Sequence, residues 1–183
     1  MAEPLADQVL RKIGEAYELY QRLILMVGPA GSGKTSALRE VSSSTSAPLI
    51  NVNLELSRRM LDLTERQRAL HLSRLLGEIV REATKALRAA TLAAQAGLVL
   101  LDNIEILFDV HLKQDPLRLL QGLSRNKTVV AAWSGSVVDG YLTYAVPDHP
   151  EYRRYPIRDF LVVIPEVTDM KESGSEAARG HVP

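Results

Sequence analysis

Residues 28–35 read Gly-Pro-Ala-Gly-Ser-Gly-Lys-Thr, which fits the pattern G-x-x-x-x-G-K-[ST] at every fixed position. Glycines at 31 and 33 let successive backbone N–H groups turn inward, because a Cβ would obstruct those conformations. A loop of this kind surrounds a phosphate, and a helix beginning near Lys34 adds its positive end. Gly28, Pro29, Ala30, Gly31, Ser32, Gly33, Lys34, Thr35 and Ser36 are therefore the candidate nucleotide-binding residues. Lys34 would meet the β- and γ-phosphates of ATP as a point charge, and the Thr35 hydroxyl would bind Mg2+.

Other positions fit the same chemistry. Leu98-Val-Leu-Leu-Asp102 is an apolar strand ending in a carboxylate, which holds Mg2+ through its water shell. In many fast ATPases a glutamate directly follows that aspartate and polarises the attacking water. Here the place is taken by Asn103, whose amide orients water but accepts no proton. Glu105 reads either as the substitute base or as a solvated acid at a helix start. The expected consequence is slow hydrolysis, or hydrolysis that waits for a partner. Ser134 reads as a γ-phosphate sensor at the end of its strand, or equally as a serine in a Ser-Gly-Ser turn. Asn51 and Asn53 close a further strand and read as turn residues, or one of them holds the catalytic group in check until a partner binds. An arginine commonly neutralises charge on the transferring phosphoryl group, often from a neighbouring subunit. Arg125 is the candidate, with Arg58-Arg59 and Arg153-Arg154 as further ones.

These residues need elements to hold them. Leu5, Val9, Ile13, Ala16 and Tyr20 form the stripe of an amphipathic helix. Leu23–Val27, Leu49–Val52, Leu98–Leu101, Thr128–Trp133 and Phe160–Ile164 read as five short strands. A helix over 35–41 ends in the polar run Ser42 to Ser46. Residues 57–94 form a long helical insert, whose main helix starts at the capping box Thr64–Gln67, with a break expected near Gly77. Asp115-Pro116 starts a helix running to about Ser124. Strands alternating with helices predict a parallel five-stranded sheet covered on both faces, with ligands beyond the carboxyl ends of its strands. One domain over 1–165 is expected, followed by a disordered polar tail over 166–183.

The chain has 183 residues, 22 Lys+Arg against 22 Asp+Glu, and no Cys. Its 46% apolar and 24% charged residues match ordinary globular usage and exclude a collagen-like or wholly disordered chain. No run reaches the roughly 20 apolar residues of a membrane helix, and charges throughout the first fifteen residues leave no secretory core. Absence of Cys excludes disulfides, a thiol nucleophile and a thiolate zinc site. The expectation is a soluble intracellular protein without membrane contact. Charge is uneven locally. Arg58, Arg59, Arg66, Arg68, Arg74, Arg81, Lys85 and Arg88 outnumber Asp62, Glu65, Glu78 and Glu82 over 58–88. This stretch reads either as a DNA or acidic-partner contact or as a plain solvated face with i,i+3 pairs Glu78–Arg81 and Glu82–Lys85.

With Gly28–Thr35, Ile-Asn-Val-Asn-Leu at 50–54 with the Arg58-Arg59 beyond it, and Leu-Leu-Asp-Asn-Ile-Glu at 100–105, the chain resembles the BrxF family. These are small P-loop ATPases of type 3 BREX phage-defence systems in bacteria. The resemblance covers about residues 1–165. It implies an AAA-like P-loop NTPase core, a bacterial cytoplasmic setting and partners among the other subunits of a phage-defence system. It carries roles only to Gly28–Thr35 and Asp102. Many AAA ATPases add a helical lid after the fifth strand. This chain has none there, so closure over the nucleotide is expected from another subunit, in a homo-oligomer or with another protein. Two other functions fit the same residues: a small-molecule or nucleotide kinase, with Arg153, Arg154 and Arg158 as its lid, and a nucleotide-binding scaffold without turnover.

Overall fold

The computed structural model describes residues 2–90 and 97–166. Helix α1 (Leu5–Ala16) leads into β1 (Leu23–Gly28), and the glycine loop connects β1 to α2 (Lys34–Thr45). Then come β2 (Leu49–Asn51), α3 (Val52–Met60), α4 (Glu65–Ala90), β3 (Leu98–Asp102), two 3-10 turns (Glu105–Phe108 and Val110–Leu112) and α5 (Pro116–Leu123). Four strands close the described chain: β4 (Thr128–Val138), β5 (Tyr141–Tyr144), β6 (Arg153–Pro156) and β7 (Leu161–Val163).

The five parallel strands lie in the order β2-β3-β4-β1-β7. Every residue of β1 and β3 is buried, as a strand covered on both faces requires. Alternate residues feed two cores. Leu23, Leu25, Val27, Val99 and Leu101 pack under α3, α4 and α5, while Ile24, Met26, Leu98 and Leu100 pack under α1 and α2. No helical domain follows β7 among the described residues.

Several boundaries differ from the sequence reading, each for a local reason. Helix α1 stops at Ala16, not Tyr20, and Tyr20 is 83% exposed. Helix α2 continues through the serine run, where Ser43, Ser44 and Thr45 satisfy their hydroxyls within the helix by donating to the carbonyls of Arg39, Glu40 and Val41. Ser46, with φ +56°, then ends it. Val52 is the first residue of α3 and not the last of β2, since Asn51 accepts the Leu54 N–H as its N-cap. The Thr64–Gln67 capping box forms in both directions, at 3.3 and 2.9 Å. Asp115 caps α5 through the Arg118 N–H. No break occurs at Gly77, and α4 runs unbroken from Glu65 to Ala90. The end of the expected insert at 91–94 and the tail from 167 on lie outside the described residues.

The feature the sequence reading lacked is an antiparallel extension. Beyond Trp133, β4 leaves the parallel sheet and pairs with β5, and β5 pairs with β6, so the sheet has seven strands. Asp139-Gly140, with φ +51° and +77°, makes the two-residue turn. Both positive values are what an inward-twisting hairpin turn demands, and Asp-Gly is its strongest sequence signal. The hairpin is anchored by aromatic packing. Phe108 stacks on Tyr144 at 3.5 Å and meets Trp133 edge-on at 4.9 Å, while Trp133 donates its indole N–H to the Thr143 carbonyl at 2.9 Å. Gly135 lies where this crossing is tightest: a Cβ there would overlap the Thr143 carbonyl and approach the Trp133 nitrogen to 2.8 Å. Replacing Gly135 by alanine is expected to destabilise the fold by about 1–3 kcal/mol, the usual cost of overpacking. Urea denaturation of Gly135→Ala, followed by Trp133 fluorescence, measures it.

Candidate functional site

Parallel strands end on one edge, so β1, β2, β3 and the parallel part of β4, which ends at Ser134, deliver their last residues side by side. Register places Gly28 beside Ser134 and Asn51 beside Asp102. The loop between β1 and α2 turns through Gly31 at φ +77° and Gly33 at φ +88°, values that only glycine adopts without strain. A cleft of about 370 Å3 opens there, lined by Ala30, Gly31, Gly33, Lys34, Thr35, Ser36, Asp102, Asn103, Glu105, Ala132 and Ser134. Other clefts of larger volume exist, but they collect no comparable set of charged and glycine backbone groups.

Lys34 is buried at the first residue of α2. Its ammonium donates to the Gly28 carbonyl at 2.7 Å, the Pro29 carbonyl at 2.6 Å and the Ser32 hydroxyl at 3.2 Å. All three of its donors are thereby satisfied by the loop itself. Burial lowers the Lys34 pKa from its ordinary value, and the nearby carboxylates of Glu105 and Asp102 oppose the shift. Gly28 permits this arrangement, since a Cβ there would come within 2.7 Å of Ser32 Oγ and 3.3 Å of the Pro165 ring.

Asp102 is buried at the end of β3, and one of its carboxylate oxygens accepts the Asn103 N–H at 2.9 Å. Asn103 has φ +50°, and its carbonyl accepts the Asn53 N–H at 3.0 Å. It therefore serves as the turn that lifts the chain off the strand, with its side chain exposed at the cleft margin. That turn carries the chain into the 3-10 turn and brings Glu105 back to the cleft. There Ser134 Oγ donates to Glu105 Oε1 at 2.7 Å. The structure thus joins Lys34, Thr35, Asp102, Glu105 and Ser134 in one cleft.

The arginines are placed elsewhere. Arg125 is exposed just before β4, at the opposite edge of the sheet, where the neighbouring Ser124 carbonyl accepts the Arg22 N–H at the start of β1. Within one chain it does not join the cleft. Arg58 pairs with Glu55, and Arg59 with Glu82. Arg154 lies over the Tyr141 ring at 3.4 Å, and Arg153 donates to the Tyr152 carbonyl. No arginine lines the cleft among the described residues.

A P-loop of this geometry on a 2-3-4-1-7 sheet has a counterpart among known families. The family described as ATPase family associated with various cellular activities (AAA) matches residues 24–130, more than half of the chain. The chain belongs to the AAA family of ATPases. No curated protein matches it. The matched span runs from β1 into β4 and includes the glycine loop and Asp102, so the AAA ATPase assignment rests on the elements that build the cleft. No helix among the described residues is long and apolar enough to cross a membrane.

The residues present suit a Mg2+-bound triphosphate. Mg2+ is commonly held by one or two protein oxygens plus phosphates, and Thr35 with Asp102 offers that number. No cluster of three or more acidic or His side chains that could hold a metal alone occurs among the described residues. Because Lys34 must be charged to attract phosphate and its pKa is depressed, triphosphate binding is expected to weaken as pH rises, beginning below the ordinary lysine value of about 10.4. Calorimetric titration of ATP from pH 7 to 10 tests this, and Lys34→Arg should remove the pH dependence that Lys34 causes.

Proposed function

We propose that this chain is a Mg2+-dependent ATPase that hydrolyses slowly alone and works as a nucleotide-controlled switch or motor part of a bacterial cytoplasmic phage-defence complex. The convergence of Lys34, Asp102, Glu105 and Ser134 on the glycine loop carries the reading. The resemblance to the small ATPases of type 3 BREX supports the defence setting.

In this reading the backbone N–H groups around Gly31 and Gly33 face the phosphates, and Lys34 releases the Gly28 and Pro29 carbonyls to meet the β- and γ-phosphates. Thr35 and Asp102 hold the Mg2+, which supplies charge neutralisation on the phosphate oxygens when bound. Glu105 orients the attacking water and takes its proton, in place of the residue that Asn103 does not supply. Ser134 fixes the Glu105 carboxylate on the γ-phosphate side. The step is an in-line displacement in which water oxygen bonds to phosphorus, the bond to the bridging oxygen breaks, and ADP leaves. Slow turnover follows from a cleft that no arginine lines among the described residues. Arg125, exposed at the opposite edge, would complete the cleft of a second copy stacked edge to edge.

Phosphate release should fall to background in Lys34→Ala. In Glu105→Gln it should fall about 10²–10⁴-fold while ATP binding is retained. The same two variants should lose phage restriction in a host carrying the complete system. Phosphate transfer to an added alcohol in preference to water would favour a kinase instead. Light scattering with ATP and Mg2+ should report an assembly larger than one chain, and a monomer at all concentrations would remove the second-copy arginine.

A further inference from the structure

Glu105 reaches the nucleotide cleft from a 3-10 turn, and a ring on the hairpin packs against that turn. At three residues per turn, side chains at i and i+3 eclipse, so Glu105 and Phe108, the first and last residues of the turn, share one side of it. A ring that cannot move at Phe108 therefore restricts the direction in which Glu105 leaves the backbone. Phe108 is fully buried, and its ring lies against Tyr144 with centroids 3.5 Å apart and planes 16° from parallel. Trp133 closes the cluster edge-on, at 4.9 Å from Phe108 and 6.3 Å from Tyr144.

The backbone of the turn does little to orient it. Its bonds, from the Leu107 N–H to the Ile104 carbonyl and from the Asp109 N–H to the Ile106 carbonyl, close one short coil of poor hydrogen-bond geometry. Side-chain packing must set its direction, and stacked rings supply both buried area and a defined angle.

The hydrogen-bond partner of Glu105 is tied to the same ring. Ser134, which donates to Glu105 at 2.7 Å, lies between Trp133 and Gly135 in β4, and Gly135 is paired across the hairpin with Tyr144. Trp133 donates to the carbonyl of Thr143, the residue before Tyr144. Tyr144 thus packs on the turn that carries Glu105 and is paired beside the strand that carries Ser134. Burial, Glu151 and Glu105 push its pKa up to about 12, so the phenol lies within electrostatic reach of the Glu105 carboxylate. Tyr144 does not itself line the cleft.

We propose that Tyr144 is a positioning residue for hydrolysis, its ring stacked on Phe108 so that Glu105 stays in register with Ser134 and the attacking water. This rests on Glu105 being the base, as proposed above. Because Tyr144 stands outside the cleft, its loss acts on the chemical step and leaves nucleotide binding intact. A misplacement of about 1 Å at a reacting group costs as much as about 10²-fold in rate.

Phosphate release by the full chain with ATP and Mg2+, measured beside ATP affinity by calorimetry, tests this. Tyr144→Leu, which removes the flat ring, is expected to lower kcat about 10–100-fold while KM and ATP affinity change by less than about twofold. Phe108→Leu should do the same from the other half of the stack, and retained ATP binding shows that each variant is folded. Tyr144→Phe keeps the stacked ring and should restore the wild-type rate. Ile13→Ala, in the core on the opposite sheet face, should lower the melting temperature and leave kcat unchanged, which separates positioning from loss of stability. Tyr144→Leu added to Glu105→Gln should slow it no further, because both changes act on one group. The proposal is overturned by a wild-type rate in Tyr144→Leu beside a slow Glu105→Gln, by a raised KM at unchanged kcat, by equal loss in Tyr144→Phe and Tyr144→Leu, or by further slowing in the double variant. A wild-type rate in Glu105→Gln overturns instead the assignment of the base on which this role rests.

Discussion

An ammonium held out of water at the first turn of a helix must be given acceptors, and the whole nucleotide cleft follows from how Lys34 obtains them. An unpaired buried cation costs several kcal/mol, so the loop must curl until its own carbonyls reach the lysine. It does so through Gly28 and Pro29, with Ser32 as the third acceptor. The same loop passes through the positive φ of Gly31 and Gly33, the kind of backbone geometry in which successive N–H groups can face one anion. In the proposed binding step a triphosphate would exchange one set of acceptors for a better charged one. Burial lowers the pKa of that lysine, and the carboxylates of Glu105 and Asp102 oppose the shift.

Placement of the opposing carboxylate depends on packing remote from the loop. Glu105 stands in the same 3-10 turn as Phe108, and Phe108 is fixed between Tyr144 and Trp133. Trp133 in turn is the residue before Ser134 and is tied to the hairpin by the Thr143 carbonyl. The hydrogen bond between Ser134 and Glu105 is thus framed on both sides by one aromatic cluster, in which rings contribute large buried area and defined geometry. The hairpin that looked peripheral in the topology is the clamp that sets this distance. The Tyr144 hydroxyl, with its pKa pushed up to about 12 by burial and by neighbouring Glu151 and Glu105, stays neutral beside them.

The same sheet separates two kinds of surface. Its carboxyl edge gathers the cleft, while the layer of α3, α4 and α5 carries most of the uneven charge. On α4, Glu82 is tied to Arg59 of α3 and Glu78 to Arg74, while Arg66, Arg74, Arg81, Lys85 and Arg88 lie on the side opposite the buried Leu72, Leu75, Leu76, Ile79 and Val80. Sequence counts alone show an excess of basic residues over 58–88, but not that Glu82 is spent on Arg59 of α3.

Much of this protein was determined by local sequence. Glycines at 31 and 33, an apolar strand before them and a lysine after them leave the backbone one arrangement, so the phosphate loop and the end of β3 were legible without any fold. The five parallel strands, the Thr64–Gln67 box and the Asp115 cap are likewise short-range matters of apolar runs and hydrogen-bond partners. The Asp139-Gly140 turn was equally local and marks the hairpin for a reader who weighs it. What only the tertiary structure decided was long-range pairing: that Asn103 turns the chain so Glu105 returns to Ser134, and that Arg125 stands on the far edge. These depend on which elements become neighbours across the sheet, and spacing along one chain does not encode which face or edge a residue reaches once strands from distant segments align.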